Sequence, residues 1–240
     1  MPEKRTNNKQ PLSKYAVPLV IVVLLCVIAV ILIIASASKA TPSGDGTTND
    51  TAESSENTQK PNSNINTDNG LDPSLTYYAN IDIKEYGTTT IKLDQNAAPI
   101  TVTNFVKLAN SGFYNGLTFH RIMKGFMMQG GSPNGSSNGG SGSQIFGEFA
   151  NNGFKNPLSH TRGAISMARN SINNNSASSQ FFIVHQDSQF LDGDYAVFGY
   201  VTEGMDVVDA VCEAAKPTDG NGTIPAEIQP IISTITIWTE

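Results

Sequence analysis

The stretch Phe119-His120-Arg121-Ile122-Met123-Lys124-Gly125-Phe126-Met127-Met128-Gln129-Gly130-Gly131 sets one arginine and one glutamine among phenylalanine, methionine and isoleucine. Strands are expected over Thr118–Ile122 and Met127–Gln129. Residues two apart on a strand share a face, so Phe119 falls with Arg121 and Met127 with Gln129. An arginine on the same face as large apolar side chains is costly unless it is paired or opens into a cleft. The plain alternative is an arginine whose stem lies along the apolar face while its head reaches water. The spacing alone favours neither.

Outward from this segment the chain keeps a strand-rich texture. Ala79, Ile81 and Ile83 alternate with polar residues, as do Ile91 and Leu93 beyond Tyr86-Gly87, which predicts a β-hairpin. Pro99 suits a first helical position, and Val102, Phe105, Val106 and Ala109 recur at helical spacing until Ser111-Gly112 stops the run. Further strands are predicted at Ala164–Ala168, Phe181–His185, Ala196–Val201 and Ile231–Trp238, with the sole tryptophan, Trp238, expected in the core. A second helix is predicted over Met205–Ala214. Long polar loops, Gly130–Gln144, Asn151–Thr161 and Arg169–Ser179, separate the strands and exceed the usual connection length, a mark of a binding face. Many short strands with two helices predict a mainly β domain, a barrel or sandwich with helices over its ends.

The N-terminal third reads differently. Lys4, Arg5, Lys9 and Lys14 precede Ala16–Ala35, a run of 20 residues without a charge. As a helix it is about 30 Å long, the thickness of a bilayer's hydrocarbon core. The basic flank places residues 1–15 in the cytoplasm and everything after the span outside it. The span, 16–37, is thus a single-pass anchor in the cell membrane. Ala35-Ser36-Ala37 also resembles a cleavage site, and cleavage after Ala37 would give a secreted protein. Residues 38–74 are rich in Ser, Thr, Asn, Gly and Asp and lack core-forming side chains, so a disordered tether is expected. Residues 75–240 are one domain's worth of chain.

Composition narrows the chemistry. The formal net charge is -6, from 15 basic and 21 acidic residues, without a basic block, so nucleic acid is not an expected partner. Two cysteines, Cys26 and Cys212, cannot form a disulfide scaffold or a four-cysteine zinc site. His120, His160 and His185 have no metal-ligand spacing and are read as structural, and no metal or other cofactor is expected. Glycines 130–142 lack the Lys-Ser/Thr and the helix of a phosphate loop, so they read as a groove-side loop. Glu148, alone in Ile145-Phe146-Gly147-Glu148-Phe149, is expected to satisfy backbone or arginine donors.

Those blocks, followed by Gly163-Ala164-Ile165-Ser166-Met167-Ala168, Ser179-Gln180-Phe181-Phe182-Ile183, Phe190-Leu191-Asp192-Gly193 and Val197-Phe198-Gly199, resemble in order the cyclophilin family of peptidyl-prolyl cis-trans isomerases, over about residues 77–239. With the N-terminal segment, the chain looks like a bacterial membrane-anchored form. The resemblance implies a closed eight-stranded antiparallel barrel capped by two helices. It implies that Arg121 is the catalytic arginine and that Gln129 positions it. Phe126, Met127, Phe182 and Leu191 correspond to the floor and walls of the proline pocket, and Ala168 and Gln180 to peptide-contacting positions. Arg169 stands where the family usually has an asparagine whose backbone binds peptide. Phe190 stands for a rim tryptophan and Tyr195 for a pocket histidine, and the Asn-rich loop 169–179 is longer than usual.

The activity implied is X-Pro isomerisation in exported proteins, with proline-containing polypeptides as substrates and the protein monomeric. A cyclophilin-fold module that grips Pro-containing segments without turning them over is the alternative. A surface stalk is a third reading that leaves the motif blocks unexplained.

Overall fold

The computed structural model describes residues 70–240. The expected cytoplasmic segment, the apolar span and the tether up to residue 69 lie outside the described residues. Among the described residues no helix is long and apolar enough to cross a membrane.

Eight strands form one antiparallel sheet: β1 (Tyr77–Ile83), β2 (Gly87–Leu93), β3 (Thr118–Met123), β4 (Met127–Ser132), β5 (Ala164–Met167), β6 (Phe181–Val184), β7 (Val197–Glu203) and β8 (Ile232–Thr239). Their order across the sheet is β3-β4-β6-β5-β7-β2-β1-β8. The expected β1–β2 hairpin is present, with Ile83 opposite Gly87. β1 is flanked on its other side by β8, Tyr77 standing opposite Thr239. Just beyond that pair, Thr76 and Glu240 exchange two backbone hydrogen bonds of 3.0 and 3.1 Å.

The barrel is less closed than the resemblance implied. The two edge strands, β3 and β8, share no ladder. They meet through one bridge, Thr118 with Ile231, and through short backbone bonds such as Phe119 N–H to Pro230 C=O at 2.9 Å. The sheet therefore curls on itself and is pinned along one short seam, residues 116–119 against 230–232.

Helix α1 (Pro99–Asn110) begins at the expected proline and buries Val102, Phe105, Val106 and Ala109. The Phe105 ring lies 5.2–5.5 Å from those of Tyr114, Phe181 and Phe198, forming the aromatic centre of the core. Glu148 closes the helix start: its two carboxylate oxygens accept the Ile100 and Thr101 N–H groups at 3.0 and 2.8 Å. The first four N–H groups of a helix have no partner within it, and a carboxylate there also meets the positive end of the helix dipole. Burial nevertheless pushes the Glu148 pKa above its ordinary value. Helix α2 (Met205–Ala214) covers the sheet with Val208, Val211 and Cys212.

Two local expectations fail, for identifiable reasons. Phe119 and Arg121 do not share a face. The β3–β4 register shifts between them, so that Phe119 stands opposite Gly130 and Arg121 opposite Gln129. The bulge absorbs His120, and Phe119 turns into the core with Ile122 while Arg121 turns out. Gly130 permits the close approach: a Cβ there would sit 2.7 Å from the Thr118 carbonyl oxygen. Trp238 is not core. It is 37% exposed, stacked at 4.2 Å on Tyr78, and its indole N–H reaches the Asn80 side-chain oxygen at 3.1 Å.

Candidate active site

The outward faces of β3, β4 and β6 and the loops beyond them enclose an open cavity of about 810 Å³. Arg121 and Gln129 enter it from neighbouring strands. Phe126, Met127, Phe182, Leu191 and Tyr195 line its apolar end. Ala168, Arg169 and Gln180 line the rest, with the polar loops 137–144 and 170–178. Of the residues expected at the site only Phe190 stands apart from this lining. It is 74% exposed on the rim, its ring 5.6 Å from that of Phe126.

Arg121 is half-buried, and most of its donors are engaged. Its Nε–H donates to the Asn221 carbonyl oxygen at 2.7 Å, and Nη1 donates to Gln129 Oε1 at 3.3 Å. Nη2 approaches Met123 Sδ at 3.3 Å, Nη1 lies 3.8 Å from Met127 Sδ, and the guanidinium carbon stands 5.9 Å from the Phe126 ring centre. Burial lowers its pKa from the usual arginine value, with Tyr195 and Asp219 opposing that shift. The group stays charged, since a guanidinium starts so far above neutrality.

The polarity of the neighbouring bonds follows from the arginine. Because Arg121 can only donate, Gln129 must present its oxygen, and its amide nitrogen then donates to Gln180 Oε1 at 2.9 Å. Gln180 in turn donates to the carbonyl oxygens of Ser137 and Gly139 at 3.0 and 2.6 Å. One directional chain thus runs from the guanidinium to the loop on the far side of the cavity.

The apolar end is braced from behind. Phe182 is 5% exposed, stacks on the His160 ring at 5.8 Å and meets Tyr195 edge-on at 5.9 Å. His160 is fully buried and held at both nitrogens, Nδ1 to Asp192 at 2.7 Å and Nε2 to Ser166 at 3.0 Å. Burial lowers its pKa against the pull of Asp192. The neutral ring therefore donates from Nδ1 and accepts at Nε2. Sequence reading missed this buttress, because a histidine 32 residues from its carboxylate partner leaves no local pattern.

Arg169 lines the cavity, and its head is tied to the surrounding wall. The guanidinium is packed between the rings of Phe149 and Tyr195, at 5.1 and 4.8 Å, and donates to the carbonyl oxygens of Asp194 and Asn170 at 2.7 and 2.9 Å. The Asn-rich loop that follows is held by its own side chains. Asn170 Oδ1 accepts the Ile172 and Asn173 N–H groups, and Asn175 Oδ1 accepts from Gly147 and Asn152.

His120 and His185 lie outside the cavity. His120 is buried in the bulge with no protein partner at either nitrogen, and burial, helped by the Arg121 charge, pushes its pKa down to about 4. His185 accepts the Gly125 N–H at 2.9 Å and faces Asp209 at 3.3 Å. No group of three or more metal-ligating side chains occurs among the described residues.

A cavity with one anchored guanidinium above an apolar floor is lined by serines without a histidine or carboxylate to activate them, and by no acid–base pair. It can stabilise charge on a carbonyl and grip a small apolar ring. Known proteins agree with that inventory. The family model described as cyclophilin type peptidyl-prolyl cis-trans isomerase/CLD matches residues 78–234. A peptidyl-prolyl cis-trans isomerase of Helicobacter pylori is 44% identical over 138 residues, 57% of this chain and 80% of its own. Peptidyl-prolyl cis-trans isomerase B of Bacillus subtilis is 49% identical over 115 residues, 48% of this chain and 76% of its own. Among solved structures, a cyclophilin type isomerase of Cryptosporidium parvum in the presence of the dipeptide Ala-Pro is 30% identical. It aligns with a TM-score of 0.59 over 68% of this chain and 99% of its own. On the strength of the matched domain and these relatives, this chain belongs to the cyclophilin type peptidyl-prolyl cis-trans isomerase family.

Proposed function

We propose that this prolyl isomerase serves polypeptides that have crossed the cytoplasmic membrane, that the 16–37 segment holds it there, and that Arg121 is its catalytic residue. The observation that carries the chemical part is the Arg121 guanidinium, fixed on its Nε and Nη1 sides and presented to an apolar pocket. Rotation about a peptide bond meets a barrier of about 18–20 kcal/mol because the C–N bond has double-bond character. No bond to a nucleophile has to form. As the amide twists, its nitrogen becomes pyramidal and its resonance is lost. A fixed donor directed at that nitrogen or at the neighbouring carbonyl favours the twisted state over either planar one.

In this reading Phe126, Met127, Phe182 and Leu191 hold the proline ring, with Tyr195 as a side wall and Phe190 on the rim. Gln129 fixes the arginine. Ala168, Gln180 and the backbone at Arg169 meet the flanking peptide. The substrates are proline-containing polypeptides, the working unit is a monomer, and no cofactor takes part.

The export part rests on the sequence: four basic residues before Ala16, and a charge-free span after it. Two measurements test the proposal. The full-length protein in detergent should accelerate cis-to-trans conversion of a short X-Pro peptide, and Arg121→Ala should do so far more weakly. Protease added to intact spheroplasts should release a soluble fragment of about residues 75–240. Peptide binding without turnover would make the domain a binding module. Protection of the fragment would overturn the topology, and a mature N-terminus at Ser38 in the medium would replace the anchored protein by a secreted one.

A further inference from the structure

The loop between α2 and β8 supplies the closest contact that Arg121 makes, the 2.7 Å bond from its Nε–H to the Asn221 carbonyl oxygen. This loop runs along the outer edge of β3. Ile122 N–H donates to the Gly222 carbonyl at 2.8 Å, Ile224 N–H donates to the His120 carbonyl at 3.0 Å, and Arg121 bridges to Thr223. Gly222 sits at φ +86°, where a Cβ would lie 2.5 Å from the Met123 side chain and 2.8 Å from the Ile122 carbonyl oxygen. These contacts fix where the loop passes. They do not fix the tilt of the peptide plane between Asn221 and Gly222, and that plane carries the carbonyl that Arg121 uses.

Asp219 sets the tilt. Its Oδ1 accepts the N–H groups of Asn221 and Thr223, both at 3.0 Å, and its Oδ2 accepts the Thr223 hydroxyl at 2.8 Å. Its own carbonyl accepts the Gly222 N–H at 3.2 Å. One exposed carboxylate thus closes a five-residue loop from the inside, holding the two peptide planes that flank the Asn221–Gly222 plane, while the Asp219 backbone carbonyl holds the N–H of that plane itself. We propose that Asp219 is a positioning residue for the isomerase reaction: by closing the 219–223 loop it aims the Asn221 carbonyl at Arg121 Nε, and so sets the plane in which the guanidinium meets the twisting amide. Gln129 holds the same guanidinium at Nη1, so the two contacts together fix its rotation. The inference rests on the catalytic reading of Arg121 and adds a residue to it.

The test measures the on-enzyme interconversion rate of a bound X-Pro peptide by exchange NMR, and its affinity by titration, on the full-length protein. Asp219→Ala should slow interconversion about three- to ten-fold, the range that one hydrogen bond is worth, with peptide affinity within a factor of two. Asp219→Asn keeps an oxygen for the two N–H groups and should recover most of the rate. In an Arg121→Ala background, Asp219→Ala should have no further effect, since it acts through the arginine. Should Asp219→Ala fail to fold by circular dichroism, Thr223→Val, which removes only the hydroxyl bond, should show a smaller loss of the same kind. The inference is overturned if Asp219→Ala leaves the rate unchanged, if it weakens affinity instead, if Asp219→Asn is as slow as Asp219→Ala, or if the two losses add. Undiminished activity in Arg121→Ala alone would instead overturn the role given to Arg121.

Discussion

Replacing Arg121 separates its chemical role from its structural one, and the geometry sets both magnitudes. The guanidinium has five N–H groups. Nε–H is committed to Asn221, one Nη1–H to Gln129 and one Nη2–H to the Met123 sulfur. The second Nη2–H and the Nη1–H held loosely at 3.8 Å by Met127 remain for a substrate. Removing a preorganised donor of this kind costs about 10²–10³ in rate, or roughly 3–4 kcal/mol of barrier. Arg121→Ala is therefore expected to lower kcat/KM by that order in a protease-coupled assay on an X-Pro peptide. Arg121→Lys should recover only part, because an ammonium on a flexible stem cannot hold Asn221 and Gln129 and still face the substrate. Stability should fall by no more than about 1 kcal/mol, a shift of roughly 2–4 °C in Tm for a domain of this size, because the side chain is half solvated and its strongest bond lies at the surface. Activity close to wild type in a folded Arg121→Ala protein would refute the mechanism. A collapse of Tm would show that the arginine holds the β3 edge together.

Phe182→Ala should cost about 3–5 kcal/mol in urea unfolding and weaken peptide binding as well, since it empties a packed wall between His160 and Tyr195. Arg169→Leu should raise KM more than it lowers kcat and destabilise by about 1–3 kcal/mol, because it removes the cation between Phe149 and Tyr195 and two carbonyl contacts while leaving the hydrogen bonds of Arg121 in place. His120 gives a pH signature. Its folded pKa, about 4, lies below the usual 6.5, so the unfolded chain binds the extra proton between those values and stability falls as pH drops through that window. The loss is at most about 3 kcal/mol. Urea midpoints at pH 7 and pH 4.5 should therefore differ less in His120→Leu than in the wild type.

Periodicity carried much of the fold because most of the elements obey it. Pro99 opens α1, the α2 boundaries coincide with the apolar repeat, and the β1–β2 hairpin pairs about its Gly-containing turn. It failed at His120, where one extra residue in β3 reverses the faces, and alternation contains no term for a bulge. It also misplaced Trp238, since an aromatic residue at the end of a strand can stack on a neighbour such as Tyr78 as readily as it can enter the core. At the site, the residues expected from the family blocks converge on one cavity, apart from Phe190. The groups that hold them are another matter. Asn221 and His160 act through contacts between segments far apart in sequence, Asn221 through a backbone atom whose identity no side chain announces, and Asp219 acts only by way of Asn221.

The β1–β8 ladder also governs when the molecule can be completed. β1 lies between β2 and β8, so one of its two hydrogen-bonding edges waits for residues about 160 positions later in the chain, as in the pairing of Tyr77 with Thr239. At a synthesis rate of about 5–20 residues per second, roughly 8–30 seconds pass between the appearance of the two strands. Over that interval β1, carrying Ala79, Ile81 and Ile83, offers an unpaired edge on which foreign strands can add. Ordered closure is therefore possible only after the last strand has emerged. A chain truncated before Ile232 would keep Arg121 and the cavity residues yet remain an aggregation-prone intermediate, which makes β8 the latch of the domain although it contributes nothing to the cavity.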